Sequence, residues 1–172
     1  MDIVTGLKLY HINTNKVSKI YVEGEEIITP TNGYNRFFGD YDVKDVRYVN
    51  TIESLGQGLT YYWHFARETI FEEIRLNVNK DLPSRQKCIW LSSGNEIEYW
   101  KHELNFNSFY CQLLELELHG KLFKCDSLFV SGGIKKLNDV RIDATNYWNQ
   151  EKSDQSKIEY LFEGKAIVSK VL

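Results

Sequence analysis

Residues 109–119 read FYCQLLELELH, and this stretch decides the class of fold that the sequence predicts. Three leucines alternate with two glutamates within it: Leu114, Glu115, Leu116, Glu117 and Leu118. Successive side chains of a strand point to opposite faces, so the alternation predicts a β-strand with one buried and one solvated face. The following Gly120 and Lys121 are interpreted as a turn, and residues 122–130 as the region of another strand.

Working outward from this stretch, four further segments carry enough apolar and aromatic residues to predict strands: residues 7–12, 88–91, 157–162 and 165–172. The last two are interpreted as a pair of closing strands joined at Glu163 and Gly164. They stand at the end of the chain, so strands accumulate late in the sequence while helices fall mainly in its first two-thirds.

Helical periodicity is strongest over residues 59–77. Apolar side chains recur there every three to four residues and predict a stripe that faces the core: Leu59, Tyr62, Trp63, Ala66, Thr69, Ile70 and Ile74. The opposite face is interpreted as solvated, and it carries four charged residues: Arg67, Glu68, Glu72 and Arg75. His64 lies within this helix and is interpreted as a packing residue.

Shorter helices are predicted on either side. Ser93 and Glu96 have the spacing of a capping box, which predicts a helix after residue 96. Asn13 begins a group of capping side chains before apolar residues at helical spacing in residues 17–21. Residues 144–148 are a candidate short helix, whereas residues 29–42, rich in turn-forming residues, are interpreted as a loop.

The totals and the order of these elements predict one α+β domain over residues 1–172. No repeat or linker divides the chain, and no GxGxxG or GxxxxGK[ST] loop occurs in it. The net charge of −3 gives no broad basic surface for nonspecific nucleic-acid binding. No apolar stretch approaches the length of a membrane span, and the amino terminus lacks the pattern of a signal peptide.

The three cysteines, Cys88, Cys111 and Cys125, are an odd number without a close pair. They support neither a disulfide framework nor a zinc site, because no Cys/His ligand spacing is present. Scattered thiols are typical of a reducing compartment, and we therefore expect a cytoplasmic protein.

A histidine, an aromatic platform and a carboxylate stand on separate predicted elements. His11 ends the first strand, Trp90 lies on a short central strand, and Glu159 begins a late strand. Tyr99 and Trp100 follow on the second helix. These residues can surround one flat ligand, but spacing alone leaves open that they are unrelated structural residues.

At these positions the sequence resembles the ADP-ribosyltransferase superfamily, in the histidine–aromatic–glutamate branch that includes poly(ADP-ribose) polymerases. Residues 9–11, LYH, resemble the first motif, commonly Leu-Tyr-His-Gly-Thr. Residues 88–92, CIWLS, resemble the second, typically Gly-Ile-Tyr-Phe-Ala, and Tyr99 stands where a later aromatic is usual. Residues 158–162, IEYLF, resemble the third, Asn-Glu-Tyr-(Ile/Leu)-Val. The whole chain also resembles the bacillus-type domain of unknown function 2441 family.

The resemblance implies an ADP-ribosyltransferase-like fold, with a mixed or antiparallel β core and helices packed against it, and NAD as substrate without a metal. Cleavage of the nicotinamide–ribose bond passes through an oxocarbenium-like state. Glu159 would stabilise that charge and hold the 2′-hydroxyl, and His11 would bind a ribose hydroxyl. Tyr10 would line the NAD site, with Trp90 and Tyr99 as walls for the cationic nicotinamide. The acceptor, whether protein, nucleic acid or water, is not encoded.

Departures from the family pattern leave alternatives open. Ile12 replaces a glycine, Trp90 replaces a tyrosine, and Glu163 on the same strand face is an alternative catalytic carboxylate. One alternative is a catalytically inactive binding module with the same fold. Another is an RNA 2′-phosphotransferase, which requires several arginines at the phosphate; the chain offers Arg36, Arg47, Arg67, Arg75, Arg85 and Arg141.

Overall fold

The structure, a computed structural model, describes residues 1–14, 16–17, 19–29 and 52–172, apart from the side chains of Glu53 and Ser54. In this part of the chain five strands form: β1 (Asp2–Asn13), β2 (Glu26–Ile28), β3 (Ile89–Leu91), β4 (Gln112–Asp126) and β5 (Ile158–Val171). They are accompanied by three α-helices: α1 (Ile52–Asn79), α2 (Ile97–Glu103) and α3 (Leu137–Trp148). Arg36, Arg47 and most of the loop predicted over residues 29–42 lie outside the described residues.

All strand pairings are antiparallel within the described residues, and they close on themselves. The sheet has the order β1-β4-β5-β2, and β3 pairs with the same edge of β5 as β2 does. A bridge between Tyr10 and Ser92, with N···O distances of 2.9 and 2.8 Å, then connects β1 to the end of β3. Pairing therefore runs from β1 through β4, β5 and β3 back to β1. The predicted α+β class is confirmed.

Gly120 and Gly164 correct two sequence interpretations. The turn predicted at Gly120 and the link predicted at Gly164 both lie inside long continuous strands, β4 and β5. The two glycines face each other across the pair. A Cβ on Gly120 would lie 2.4 Å from the carbonyl oxygen of Glu163, and one on Gly164 would lie 2.5 Å from that of His119. Both positions require glycine because the two backbones approach closely, and neither strand ends there.

The inner face of the strands is an apolar core to which all five strands contribute. Its buried members are Leu9, Ile27, Ile89, Leu91, Leu114, Leu116, Leu118, Leu122, Phe162, Ala166 and Val168. The leucines of the alternating stretch are fully buried in it, while Glu115 and Glu117 are half-buried on the other face. The strand predicted over residues 109–119 is therefore confirmed from Gln112 onward, with its solvated face partly covered.

The burial predicted for α1 is wrong in part, although Ile70 is buried and Trp63 and Ile74 pack partly buried against the core as expected. Leu59 and Tyr62 are 58% and 49% exposed, whereas Glu68 and Arg75 are only 1% and 7% exposed. The buried charges of this helix are compensated where they lie. Arg85 from another segment pairs with Glu68, whereas Arg75 pairs with Glu72 of the same helix and donates to the carbonyls of residues 80 and 82. Apolar residues still accompany these charges, since Ile70 and Phe71 pack with Tyr147 and Trp148 of α3 in a second core.

Two predicted capping arrangements do not form. Ser93 makes no capping side-chain bond, and the N–H of Glu96 donates to its carbonyl at 3.1 Å, which gives a 3-10 turn (Gly94–Glu96) before α2. Asn13 is the last residue of β1, and its amide donates to Lys19 and Gln112, so the described residues after it are not helical. The helix predicted at residues 144–148 exists and begins earlier, at Leu137.

None of the helices in the described ranges is long and apolar enough to cross a membrane.

Candidate functional site

Glu159 lies near the start of β5, on the face of the sheet that packs against α1 and α3. It pairs with Cys125 across to β4, and its neighbour on that face, Leu161, belongs to the core between the sheet and these helices. The residue is 7% exposed. An ionised carboxylate at such a depth requires compensating partners, since burial removes it from water.

Both hydrogen bonds to the Glu159 carboxylate reach the same oxygen. Arg85 Nη1 and the Tyr147 hydroxyl each donate to Oε1 at 2.6 Å. Burial raises the pKa of Tyr147 well above its usual value, so the phenol stays a protonated donor. The second oxygen, Oε2, receives no hydrogen bond from any residue that the structure describes. One oxygen is thus anchored by two donors, and the other has none among these residues.

Arg85 reaches Glu159 from a short connection between α1 and β3, residues 80–88, which we call the strap. Its Nε donates to Glu68 Oε2 at 2.9 Å, and Arg67 contacts the other oxygen of Glu68, also at 2.9 Å. Burial alone would raise the pKa of Glu68, but Arg85 and Arg67 outweigh burial and lower it. Glu68 therefore remains charged, and it holds Arg85 between two carboxylates.

A second set of bonds fixes the strap without touching Glu159. Arg75 pairs with Glu72 at 2.7 Å and donates to the carbonyls of residues 80 and 82, both at 2.8 Å. Ser84 donates its hydroxyl to Glu72 at 3.1 Å and its N–H to Glu163 at 2.8 Å. Glu163, the alternative catalytic carboxylate, is thus bound to the strap backbone.

Trp90 lies on the same face as Glu159. It pairs with Leu161 and packs against the helix-side core. The Arg85 guanidinium lies 5.5 Å from the centroid of its ring, within the range of a cation–π contact. Arg85 therefore connects the predicted aromatic wall with the predicted carboxylate.

His11 lies on the other face of the sheet, although it contacts Trp90. It pairs with Leu114, whose side chain belongs to the inner core. Its Nδ1 lies 2.9 Å from the carbonyl oxygen of Trp90, and since a carbonyl only accepts, Nδ1 carries the proton. Burial lowers the pKa of His11, so the ring is neutral and Nε2 is an acceptor. The register brings Trp90 and Glu159 to one face and His11 to the opposite one.

The two tyrosines predicted at the site have other neighbours. Tyr10 lies against Gly94, where an added Cβ would meet its ring at 3.4 Å. Tyr99 contacts the ring of Trp100 edge-on at 5.2 Å, and Lys157 Nζ lies 4.8 Å from its centroid. Burial raises the pKa of Tyr99, and more distant carboxylates, Glu159 among them, add to the effect. Among the described rings, Tyr99 and Trp90 form no direct stacking pair.

The sequence interpretation missed three residues of this network. Arg85 and Tyr147 contact Glu159 directly, and Glu68 holds Arg85. The sequence did carry one signal for Glu68, because Tyr61, Glu68 and Arg75 recur every seven residues and so share one face of the helix. The bulky Ile70 and Phe71 lie next to that face, which favours its burial over that of the face with Leu59. The structure shows Tyr61, Glu68 and Arg75 buried. Nothing in the local pattern around Tyr147 indicates its hydroxyl contact.

A metal role has no support in the described ranges, since no group of three or more His, Cys, Asp or Glu residues there is arranged to hold an ion. The thiols of Cys88 and Cys125 are buried beside this site, and burial raises the pKa of both well above the usual value. Burial therefore favours the protonated thiol at both positions.

The fold and this site define an α+β domain in which a buried carboxylate, an arginine and a tryptophan meet on the helix side of an antiparallel sheet. The chain belongs to the family described as "Protein of unknown function (DUF2441)", whose model matches residues 9–172. No curated protein matches the chain.

Proposed function

We propose that this domain has the ADP-ribosyltransferase-like fold that its sequence motifs indicate, binds NAD on the face shared by Trp90 and Glu159, and transfers ADP-ribose or hydrolyses NAD there. The observation that carries the proposal is the state of the Glu159 carboxylate. Oε1 is fixed by Arg85 and Tyr147, and Oε2 takes no hydrogen bond from the described residues.

Such a carboxylate suits the chemistry of nicotinamide release. The transition state develops positive charge on the ribose, and a preorganised anion beside it stabilises that charge without reorganising. Oε2 is the oxygen that would accept a hydrogen bond from the ribose 2′-hydroxyl. The Trp90 ring would lie against the cationic nicotinamide, a contact worth about 0.5–2 kcal/mol.

His11 has a narrower part in this proposal than in the family resemblance. Its hydrogen bond to the Trp90 carbonyl holds the backbone that carries the aromatic wall. The ribose contact expected of His11 stays a prediction, as do the contacts of Tyr10 and Tyr99 with NAD. The acceptor stays open between protein, nucleic acid and water, and the cytoplasmic location rests on the three free, buried thiols.

A second candidate, a binding module without catalysis, is favoured by one observation. Glu159 is buried and ion-paired with Arg85 at 2.6 Å, which partly neutralises its charge. An RNA 2′-phosphotransferase has less support, because each described arginine of that set is already paired with a carboxylate. The pairs are Arg67 and Arg85 with Glu68, Arg75 with Glu72, and Arg141 with Glu73.

Nicotinamide released from NAD by the purified protein over hours separates the two candidates. Glu159→Gln keeps the shape of the side chain, and Glu163→Gln is its matched control on the same strand face. The enzyme proposal predicts release that is lost in Glu159→Gln and kept in Glu163→Gln. Loss in Glu163→Gln alone would move the catalytic role to Glu163. Saturable NAD binding without release in any variant would establish the binding module, and neither binding nor release would overturn both.

A further inference from the structure

The carboxylate of Glu159 depends on a partner that belongs to no recognised motif of the chain. Arg85 is buried, and its Nη1 and Nε are committed to two different carboxylates, those of Glu159 and Glu68. Its guanidinium also lies 5.8 and 5.1 Å from the ring centroids of Phe71 and Tyr147. A planar group held at both ends and between rings has little freedom to rotate.

We propose that Arg85, held in place by Glu68, is the positioning residue that orients Glu159 so that Oε2 faces the substrate. The inference rests on the proposed function, since it concerns the reaction at the same carboxylate. Arg85 binds Oε1 from the strap side, and Tyr147 binds the same oxygen from α3. Together they fix the rotation of the carboxylate about its last bond, and a single donor would leave that rotation free.

Glu68 is the second member of the device. Arg67 neutralises its Oε1, which leaves Oε2 to hold the Nε of Arg85. Loss of the Glu68 charge would let the guanidinium move toward Glu159 or away from it. A displacement of about 1 Å in a catalytic group lowers a rate by as much as ~10²-fold.

The strap provides a control that separates positioning from structural support. Arg75 and Glu72 clamp the same strap through the carbonyls of residues 80 and 82 and the hydroxyl of Ser84. Neither of them forms a hydrogen bond or ion pair with Glu159. If the strap matters only for folding, loosening it at Arg75 and at Arg85 must affect the reaction alike.

The experiment measures kcat and KM for nicotinamide release in wild type, Arg85→Gln and Arg75→Gln, at a temperature where circular dichroism reports all three as folded. In Arg85→Gln we expect kcat to fall by ~10²-fold while KM stays within about threefold of the wild-type value. In Arg75→Gln we expect kcat to stay within about threefold of wild type. If Arg85→Gln does not fold, Glu68→Gln replaces it, with an expected fall of about tenfold. That variant leaves Arg85 and Glu159 themselves unchanged and removes only the carboxylate that holds Arg85 in place.

Each outcome decides between the claims. Equal losses in the Arg85 or Glu68 variant and in Arg75→Gln overturn positioning and leave a structural strap. A large rise in KM with kcat unchanged also overturns it, since a binding contact would then have been lost. A wild-type protein that releases no nicotinamide overturns the proposed function and the inference with it. A wild-type reaction that Arg85→Gln leaves unchanged overturns the inference alone.

Discussion

The two faces of β5 are filled in opposite ways. On the inner face, Phe162, Ala166 and Val168 pack in a cluster of buried apolar residues to which all five strands contribute. On the helix-side face, Glu159 meets Arg85, which continues to Glu68 and Arg67. The inner face needs only hydrophobic burial, whereas the other face places four charges where desolvation opposes folding. A helix that turns Glu68 inward and Leu59 outward therefore gives up hydrophobic burial on this face in exchange for a network of ion pairs.

The largest loss of stability is expected when the charged network of the helix-side face is disrupted. Glu68→Ala leaves Arg85 and Arg67 without their shared carboxylate, and removal of one partner of a buried ion pair costs about 3–5 kcal/mol. Urea unfolding of the variant measures the loss. Glu73→Ala is the control, because Glu73 pairs with Arg141 on the exposed side of the same helix and we expect no measurable change. Equal, small losses in the two variants would mean that the buried network contributes nothing to stability.

A somewhat smaller loss is expected on the apolar face. Leu116 is fully buried among strand residues, and Leu116→Ala removes its contacts and leaves a cavity, at about 3 kcal/mol. Urea unfolding is again the measurement. His11 and Leu116 share this face, but Glu159 does not. We therefore expect the folded variant to release nicotinamide from NAD at the wild-type rate. Loss of that release at a temperature where the variant is folded would contradict the separation of the two faces.

A pH dependence is expected from His11, whose pKa burial lowers below the ordinary 6.5. Unfolded His11 takes up a proton near pH 6.5, while the folded form does so only at lower pH. As pH falls below 6.5 the unfolded state binds more protons, so the free energy of unfolding decreases, and above 6.5 it is unaffected. Urea unfolding between pH 7.5 and 5 should show this decrease, and His11→Gln should reduce it.

The control for that prediction is His64→Gln. Burial lowers the pKa of His64 as well, and that side chain is only half-buried. If His64→Gln removes the pH dependence and His11→Gln leaves it intact, the assignment to His11 is wrong.

The smallest effect is expected at an ion pair outside both cores. Lys165 and Glu26 pair at 3.0 Å between β5 and β2, and both side chains are about half exposed. Surface pairs of this kind contribute less than about 1 kcal/mol. Lys165→Met should therefore change urea unfolding far less than Glu68→Ala does. A loss as large as that of the buried network would show that charge pairing, wherever it lies, stabilises this sheet.

Much of the inner face was predictable, because alternation of leucine with glutamate depends only on local geometry. The strand lengths were not. Glycine is typical of turns, and the sequence around Gly120 and Gly164 therefore predicts that the strands end there. Only the close approach of the two glycines in the folded sheet explains why the strands continue. That approach joins residues far apart in sequence, which no local pattern contains.

The candidate site was predictable in part for a similar reason. Trp90 and Glu159 stand in short motifs, and they lie on one face. Arg85 and Tyr147 had no motif, and Glu68 was misassigned to the solvated face of α1. Their burial depends on one another across three segments, so a periodicity rule that treats charge as exposed assigns Glu68 to solvent.

The most direct test of the central claim is a titration with NAD followed by the indole N–H resonances of the ¹⁵N-labelled protein. Trp148 is the internal control, since it is buried and donates to the Phe71 carbonyl at 2.7 Å. Trp90→Phe assigns the resonance of Trp90. The account predicts a saturable shift of that resonance with Trp148 unchanged. NAD that leaves the Trp90 resonance in place, or that moves both equally, would contradict an NAD site on the face of Trp90 and Glu159.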